Sequence, residues 1–228
     1  MTRLLAEMTR EQIRQAAPNA VAVLPTAAIE QHGPHMPIIT DSLLCGTVAL
    51  RAAEDAVAQT DGAANILVAP VLPYGNSHHH RPFPGVLSLS SDTFMAAVTD
   101  ILEGLVLSGF RKLIVLNGHG GNTDSNAVVG LDFVNRLDHD VTIATASKGD
   151  IALPAIVESC IMAGDLIPGH AGQFVASLVM ALRPDLINEE ALANTQDMSH
   201  AAQGVFSVLG GATVQVHGAW AAGVGYTD

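Results

Sequence analysis

Positive charge is scarce in this chain. Its 228 residues carry 10 Lys and Arg against 22 Asp and Glu, a formal net charge of −12 at pH 7. Such a balance leaves no electrostatic footprint for DNA, RNA or an anionic membrane. A bound cation would offset part of the excess. Cysteine is nearly absent: Cys45 and Cys160 form no partner pattern, so they read as buried apolar thiols rather than a disulfide framework. Aromatic residues make up 4%, with Trp220 the only tryptophan. No apolar run approaches the roughly 20 residues of a membrane span. The opening MTRLLAEMTREQIRQAAP has no long apolar core and no small-residue cleavage site, so it does not read as a signal peptide. The cytoplasm is the expected compartment. No internal repeat and no linker interrupts the chain, which reads as one domain over residues 1–228.

What is present is apolar. Hydrophobic residues are 49% and charged residues 14%, the composition of a globular chain with apolar surface left to bury between subunits. Apolar β-rich runs alternate with helical patterns. Strands are expected near residues 20–24, 65–72, 112–116 and 140–145, with a late one at 214–216. Helices are expected near 8–17, 41–58, 122–136, 154–164 and 170–183. Another runs to about Ser108, capped by Ser91 or Asp92 and closed by Gly109. This alternation predicts an α/β fold: a mostly parallel central sheet with helices on both faces, three layers in all.

In such folds ligands sit beyond the carboxyl ends of the strands. Residues 24–41, LPTAAIEQHGPHMPIITD, follow the first strand and crowd Glu30, His32, His35 and Asp41 among Gly33 and three prolines. Carboxylate and imidazole together suit zinc or manganese. Glu30 and His32 are two apart, so on extended backbone they point the same way. Asp41 is also a candidate helix cap. A second loop, NGHGGN, follows the third main strand and carries His119. Its glycines admit close approach and positive φ, and Asn117 and Asn122 are placed to bond loop backbone. Gly118 and Gly120 begin a dinucleotide-type pattern, but Thr123 stands where the third glycine belongs, so that fingerprint fails. The fold is expected to bring Glu30, His32 and Asp41 near His119.

Two further places carry candidate chemistry. His170, between Gly169 and Gly172 at an expected helix start, suits a neutral base whose pKa the helix dipole lowers. In His78-His79-His80, neighbours on extended backbone would point apart, so one or two at most face a cleft. Ser77 lacks the strand–turn–helix setting of a nucleophile.

Taken in order, E-Q-H-G-P-H-x-P, T-D, F-P-G, N-G-H-G-G-N and G-H-A-G resemble the creatininase family of metal-dependent amidohydrolases, over about residues 20–184. The resemblance implies a three-layer α/β/α fold, often a hexamer, and a small-molecule substrate. It implies one or two divalent ions: zinc first, manganese or iron as alternatives. By matching motif, Glu30, His32, Asp41 and His119 are implied metal ligands, with Asp41 bridging. His170 is the implied proton carrier. His80 lies by the substrate, and backbone donors at Gly120 and Gly121 face the oxyanion. The implied reaction is attack of metal-activated hydroxide on an amide or cyclic-amide carbonyl. Other relatives act on formamides, a peptide tail or cyclic polyol ketones, and a non-catalytic ligand-binding member is a further alternative. Three positions depart from the family pattern: Gly121, Gln173 and Val175 stand where relatives carry acids, so a second ion has one fewer anionic ligand, binds weakly or is absent, or else takes a ligand such as Asp124 or Glu158, which no motif supports. One tryptophan argues against a tryptophan-walled creatinine pocket. The sequence also stops sooner than the resemblance leads one to expect.

Overall fold

The computed structural model describes residues 2–136, 140–159, 170–193, 206–209 and 212–215. The chain sorts into two compact units, one of Met1–Ala28, Asp41–Asn76 and Leu89–Lys148, the other of Ile29–Thr40, Ser77–Ser88 and Gly149–Asp228.

The first unit holds the sheet. Its strands are β1 (Val21–Thr26), β2 (Ile66–Val68), β3 (Lys112–Asn117) and β4 (Thr142–Ser147), in the order β2-β1-β3-β4. All pairings are parallel, with Thr26 opposite Asn117 and Asn117 opposite Ser147. Three strands therefore end in one row. Helix α1 (Arg10–Ala16) precedes β1, and α2 (Thr40–Gln59), α3 (Ser91–Leu107) and α4 (Thr123–Arg136) connect the strands.

Side-chain alternation along each strand makes the sheet two-faced. Ala22, Leu24, Leu67, Leu113 and Val115 pack with Phe94, Val98 and Leu102 of α3 and Val129 and Phe133 of α4. Val23, Val68 and Leu116 pack with Cys45, Ala49 and Ala53 of α2. Those three α2 residues lie four apart, one above another on a single face. The result is the expected three-layer α/β/α arrangement around a parallel sheet.

Most boundaries follow local chemistry. Thr9 and Gln12 form a capping box at α1. Ser90, rather than Ser91 or Asp92, caps α3 through the Thr93 N–H. Gly109 ends the helix region with φ +107°. Expected strand 65–72 is shorter: β2 stops at Val68, because Pro70 has no N–H to give the ladder. Leu72 rejoins β1 through its N–H to the Pro25 carbonyl at 2.9 Å.

In the second unit, residues 32–36 form a turn closed by a bridge between His32 and Met36. Helix α5 (Lys148–Glu158) starts earlier than the sequence suggests and tolerates Pro154; positions 160–164 lie outside the described residues. Next come α6 (Gln173–Leu182) and α7 (Glu189–Ala193), with Pro184 just past α6. β5 (Phe206–Leu209) pairs antiparallel with β6 (Ala212–Gln215), close to the late strand expected at 214–216. Among the described residues, no helix is long and apolar enough to cross a membrane.

Candidate metal centre

At the carboxyl edge of the sheet, asparagine side chains shape the glycine loop. Asn117 Oδ1 accepts from the His119 N–H at 3.1 Å, and its Nδ2 donates to the His119 carbonyl at 2.7 Å. Asn122 Nδ2 donates to the Ala27 carbonyl at 3.0 Å, and its Oδ1 accepts from the Asn76 N–H at 2.9 Å. Both asparagines bond backbone, as their spacing suggested. Of the two uses expected of the loop glycines, close approach holds at Gly118 and positive φ does not: it occurs at Gly33, Gly62, Gly85 and Gly109, not at 118–121. Gly118 is required by proximity: a Cβ there would lie 2.5 Å from Cys45 Cβ.

This loop aims His119. Its Nε2 lies 3.0 Å from the Asn76 carbonyl, which can only accept. Nε2 therefore donates, and Nδ1 faces Asp41 Oδ2 at 3.1 Å. With the ring neutral, a divalent cation between the two would satisfy both atoms. A ring N–H held by a backbone carbonyl is the usual second contact of a metal-binding histidine. Asp41 is in the first turn of α2, inside the helix rather than capping it, where the helix dipole favours a carboxylate. One turn later, the Cys45 thiol donates to the Leu116 carbonyl at 3.4 Å. Burial, with the Asp41 charge adding to it, pushes this thiol up to about 12 against the opposing pull of Lys148. Lys148 Nζ donates to the Gly118 carbonyl at 3.2 Å.

In the second unit, buried Glu30 is ringed by imidazoles. His170 Nδ1 lies 3.4 Å from Glu30 Oε1, and His80 Nε2 lies 3.6 Å from Oε2. Two donor groups share this carboxylate, one with His32 and His170 and one with His79 and His80, the ligand atoms of each within 4.8 Å of one another. His32 Nδ1 approaches the Glu30 carbonyl at 3.3 Å. The chemistry of these donors fits a divalent ion.

His170 lies two residues ahead of Gly172, the cap of α6. Its next residue, Ala171, has φ +55°, a conformation rare for a side-chain-bearing residue. The histidine triple is a 3-10 turn rather than extended backbone. This turn buries His79 and His80 together, their rings 4.5 Å apart, while His78 pairs with Arg81. His35 is buried, and that burial pushes its pKa down against a bond to the Ala171 backbone. Gly120 and Gly121 open the 3-10 turn Gly120–Asn122. Asp124 and Glu158 are exposed.

Sequence reasoning missed Gln31, Asn76 and Lys148. Gln31 was visible only as the residue between Glu30 and His32, and Asn76 acts through its backbone. Lys148 had one signal, a lysine at a strand end in a chain with two lysines.

A family model described as "Creatininase: Creatinine amidohydrolase" matches residues 6–224. The creatinine amidohydrolase of Pseudomonas putida is 33% identical over 210 residues, 86% of this chain and 77% of that one. A mycofactocin precursor peptide peptidase of Mycobacterium tuberculosis is 31% identical over 193 residues, 82% of this chain and 67% of the other. A solved creatininase in its manganese form superposes with a TM-score of 0.73 at 31% identity, covering 86% of this chain and 78% of that one. With hydrolases for relatives and a matching parallel-sheet fold, the chain belongs to the creatininase family, as a divergent metal-dependent amidohydrolase.

Proposed function

We propose that this protein hydrolyses an amide or cyclic-amide C–N bond of a small molecule. Glu30, Asp41 and His119 would hold one divalent cation, and His32 would be the ligand of a second. Zinc fits imidazole with carboxylate best, with manganese or iron as alternatives. The observation that carries this reading is His119, with its Nε2 proton committed to the Asn76 carbonyl at 3.0 Å and its Nδ1 on Asp41 at 3.1 Å. A cation bound there supplies Lewis acidity, polarising the carbonyl and bringing the pKa of water towards about 7.

The chain's own groups do the rest. Asp41 would be one of the ligands. His170 keeps its Nε2 proton on the Gln31 carbonyl at 2.9 Å, so Nδ1 takes a proton and passes it to the leaving nitrogen. Backbone N–H groups at Gly120 and Gly121 receive the developing oxyanion, and His80 faces the substrate. Gly121, Gln173 and Val175 supply no carboxylate, so the second ion binds more weakly than the first. The single tryptophan favours a substrate other than creatinine, with formamides, a peptide tail and cyclic polyol ketones as the alternative classes. The exposed apolar side chains Leu107 and Leu131 support a homo-oligomer, a hexamer by resemblance.

Asp41→Ala tests the scheme. Metal content after gel filtration and turnover of creatinine, other cyclic amides, formamides and ring ketones are compared with wild type. Loss of bound metal together with turnover is expected. Full turnover by metal-free Asp41→Ala protein would refute the proposal.

A further inference from the structure

We propose that Gln31 is a positioning residue whose side-chain amide fixes His80 as the Nε2–H tautomer, keeping that nitrogen from serving as a metal ligand. The amide's orientation comes first. Gln31 Oε1 accepts from the Gly33 N–H at 2.9 Å, which settles which end of the amide is oxygen. The other end is then an NH2 group, a donor with no acceptor capacity. It lies 2.9 Å from His80 Nδ1. That nitrogen must accept, so the proton of the neutral ring is on Nε2. This N–H is directed at Glu30 Oε2 across 3.6 Å, longer than a hydrogen bond but favourable beside a carboxylate.

A neutral histidine that binds metal through Nε2 carries its proton on Nδ1 and donates it to an acceptor. Gln31 offers none there. The group of Glu30, His79 and His80 has ligand-type atoms close together, yet its His80 cannot serve. The main chain of Gln31 settles the other ring. Its carbonyl lies 2.9 Å from His170 Nε2, and the amide nitrogen lies 3.2 Å from the same atom. A carbonyl oxygen and an unprotonated ring nitrogen would repel at the shorter distance, so His170 Nε2 is the donor. One residue thus gives two stacked rings, their centroids 4.4 Å apart, different faces towards Glu30. His80 presents Nε2–H and His170 presents Nδ1. The tautomers do not depend on the proposed reaction; only the consequence, that His80 serves substrate rather than metal, rests on that reading.

The test is a long-range proton–nitrogen correlation spectrum of the full-length, zinc-loaded protein with 15N-labelled histidine. It is recorded under mildly alkaline conditions, where imidazoles are neutral. The His80 signals are assigned by their loss in His80→Gln. The expected wild-type pattern is protonated Nε2 and unprotonated Nδ1. In Gln31→Met, which has no amide to donate, His80 should lose this single pattern and show exchange between tautomers. Wild-type His80 with its proton on Nδ1 overturns the proposal without any variant. A folded Gln31→Met protein that keeps the wild-type pattern overturns it too, since Glu30 alone would then set the ring. Absence of turnover on the substrate panel would sink the hydrolase reading and leave this result standing.

Discussion

Replacing Gly118 with alanine probes how tightly the glycine loop is docked on α2. The new Cβ would lie 2.5 Å from Cys45 Cβ, 2.9 Å from its Sγ and 3.3 Å from the Thr26 carbonyl. Carbon atoms rest at about 3.5–4.0 Å, so loop or helix must withdraw by about 1 Å. Neither yields easily. The Gly118 N–H is bonded to the Thr26 carbonyl at 2.8 Å, and Cys45 is fully buried under the sheet. Overpacking of this kind costs about 1–3 kcal/mol. In a chain of this length each kcal/mol lowers Tm by about 2–4 °C. The next residue is His119, so the same displacement opens the 3.1 Å contact with Asp41. On the proposed metal reading, zinc affinity should then fall by about 10-fold or more, as when a supporting contact of a ligand is lost. Removing the obstacle decides whether the geometry is the cause. Cys45→Ala deletes Sγ and leaves the closer Cβ. Cys45→Gly deletes both, at about 1 kcal/mol of helix propensity plus the lost packing. Urea denaturation of the singles and doubles should give a coupling of about 1–3 kcal/mol for Gly118→Ala with Cys45→Gly, and distinctly less with Cys45→Ala. Strict additivity of Gly118→Ala with Cys45→Gly would refute the reasoning.

Native Cys45 should resist iodoacetamide near pH 9 while the urea-unfolded chain reacts, as read by peptide mapping; equal rates would contradict a thiol raised to about 12. Because the folded protein holds a proton that the unfolded chain releases above 9.0, stability should be intact below that pH and decline towards about 12, a slope absent in Cys45→Ala. Gly85→Ala should lower the unfolding free energy in urea by about 1–2 kcal/mol, the cost of a left-handed residue; its φ is +84° and the added Cβ meets only the flexible Ile38 side chain, so Ile38→Ala, which deletes the Cγ2 at 2.9 Å, should not rescue it. Asn122→Ala removes a partner from both the Ala27 carbonyl and the Asn76 N–H, and should cost about 2–4 kcal/mol in the same assay; an unchanged midpoint would show that water replaces the amide.

The sheet was legible because its signals are local. Val21–Thr26 and Lys112–Asn117 are short apolar runs, and Thr9 and Gly109 mark helix ends by chemistry that acts within one turn. Errors came where local and tertiary demands disagree. The 65–72 run looks continuous, but Pro70 cannot donate. Residues 118–121 were expected to allow close approach and positive φ; only the approach holds, and its partner, Cys45, is 73 positions away. The candidate ligand types were visible, and so was the part played by Asn117 and Asn122. The contacts that orient the rings were not. His119 takes its tautomer from the Asn76 carbonyl, 43 positions away, and His170 takes its own from the Gln31 carbonyl, 139 away. A backbone carbonyl carries no residue identity, so no sequence pattern announces it.

That anonymity bears on how the family can diverge. In each unit the tautomer of a key histidine is set by a main-chain oxygen, whose position follows from the path of a loop. Substitutions that preserve the path leave the ring's orientation alone. Asn122 fixes one such path by joining the Ala27 carbonyl to the Asn76 N–H, and Gln31 fixes the other through the Gly33 N–H. Gly121, Gln173 and Val175 carry no acid, and the bonds that His119 makes to the Asn76 carbonyl and His170 to the Gln31 carbonyl run to main chain instead. This predicts that restoring a carboxylate by Gly121→Glu adds metal capacity to a prepared site: bound zinc per chain should rise while the 15N pattern of His119 stays as in the parent. A Gly121→Glu protein with unchanged zinc content and a reoriented His119 would show instead that loop path and acid content are coupled.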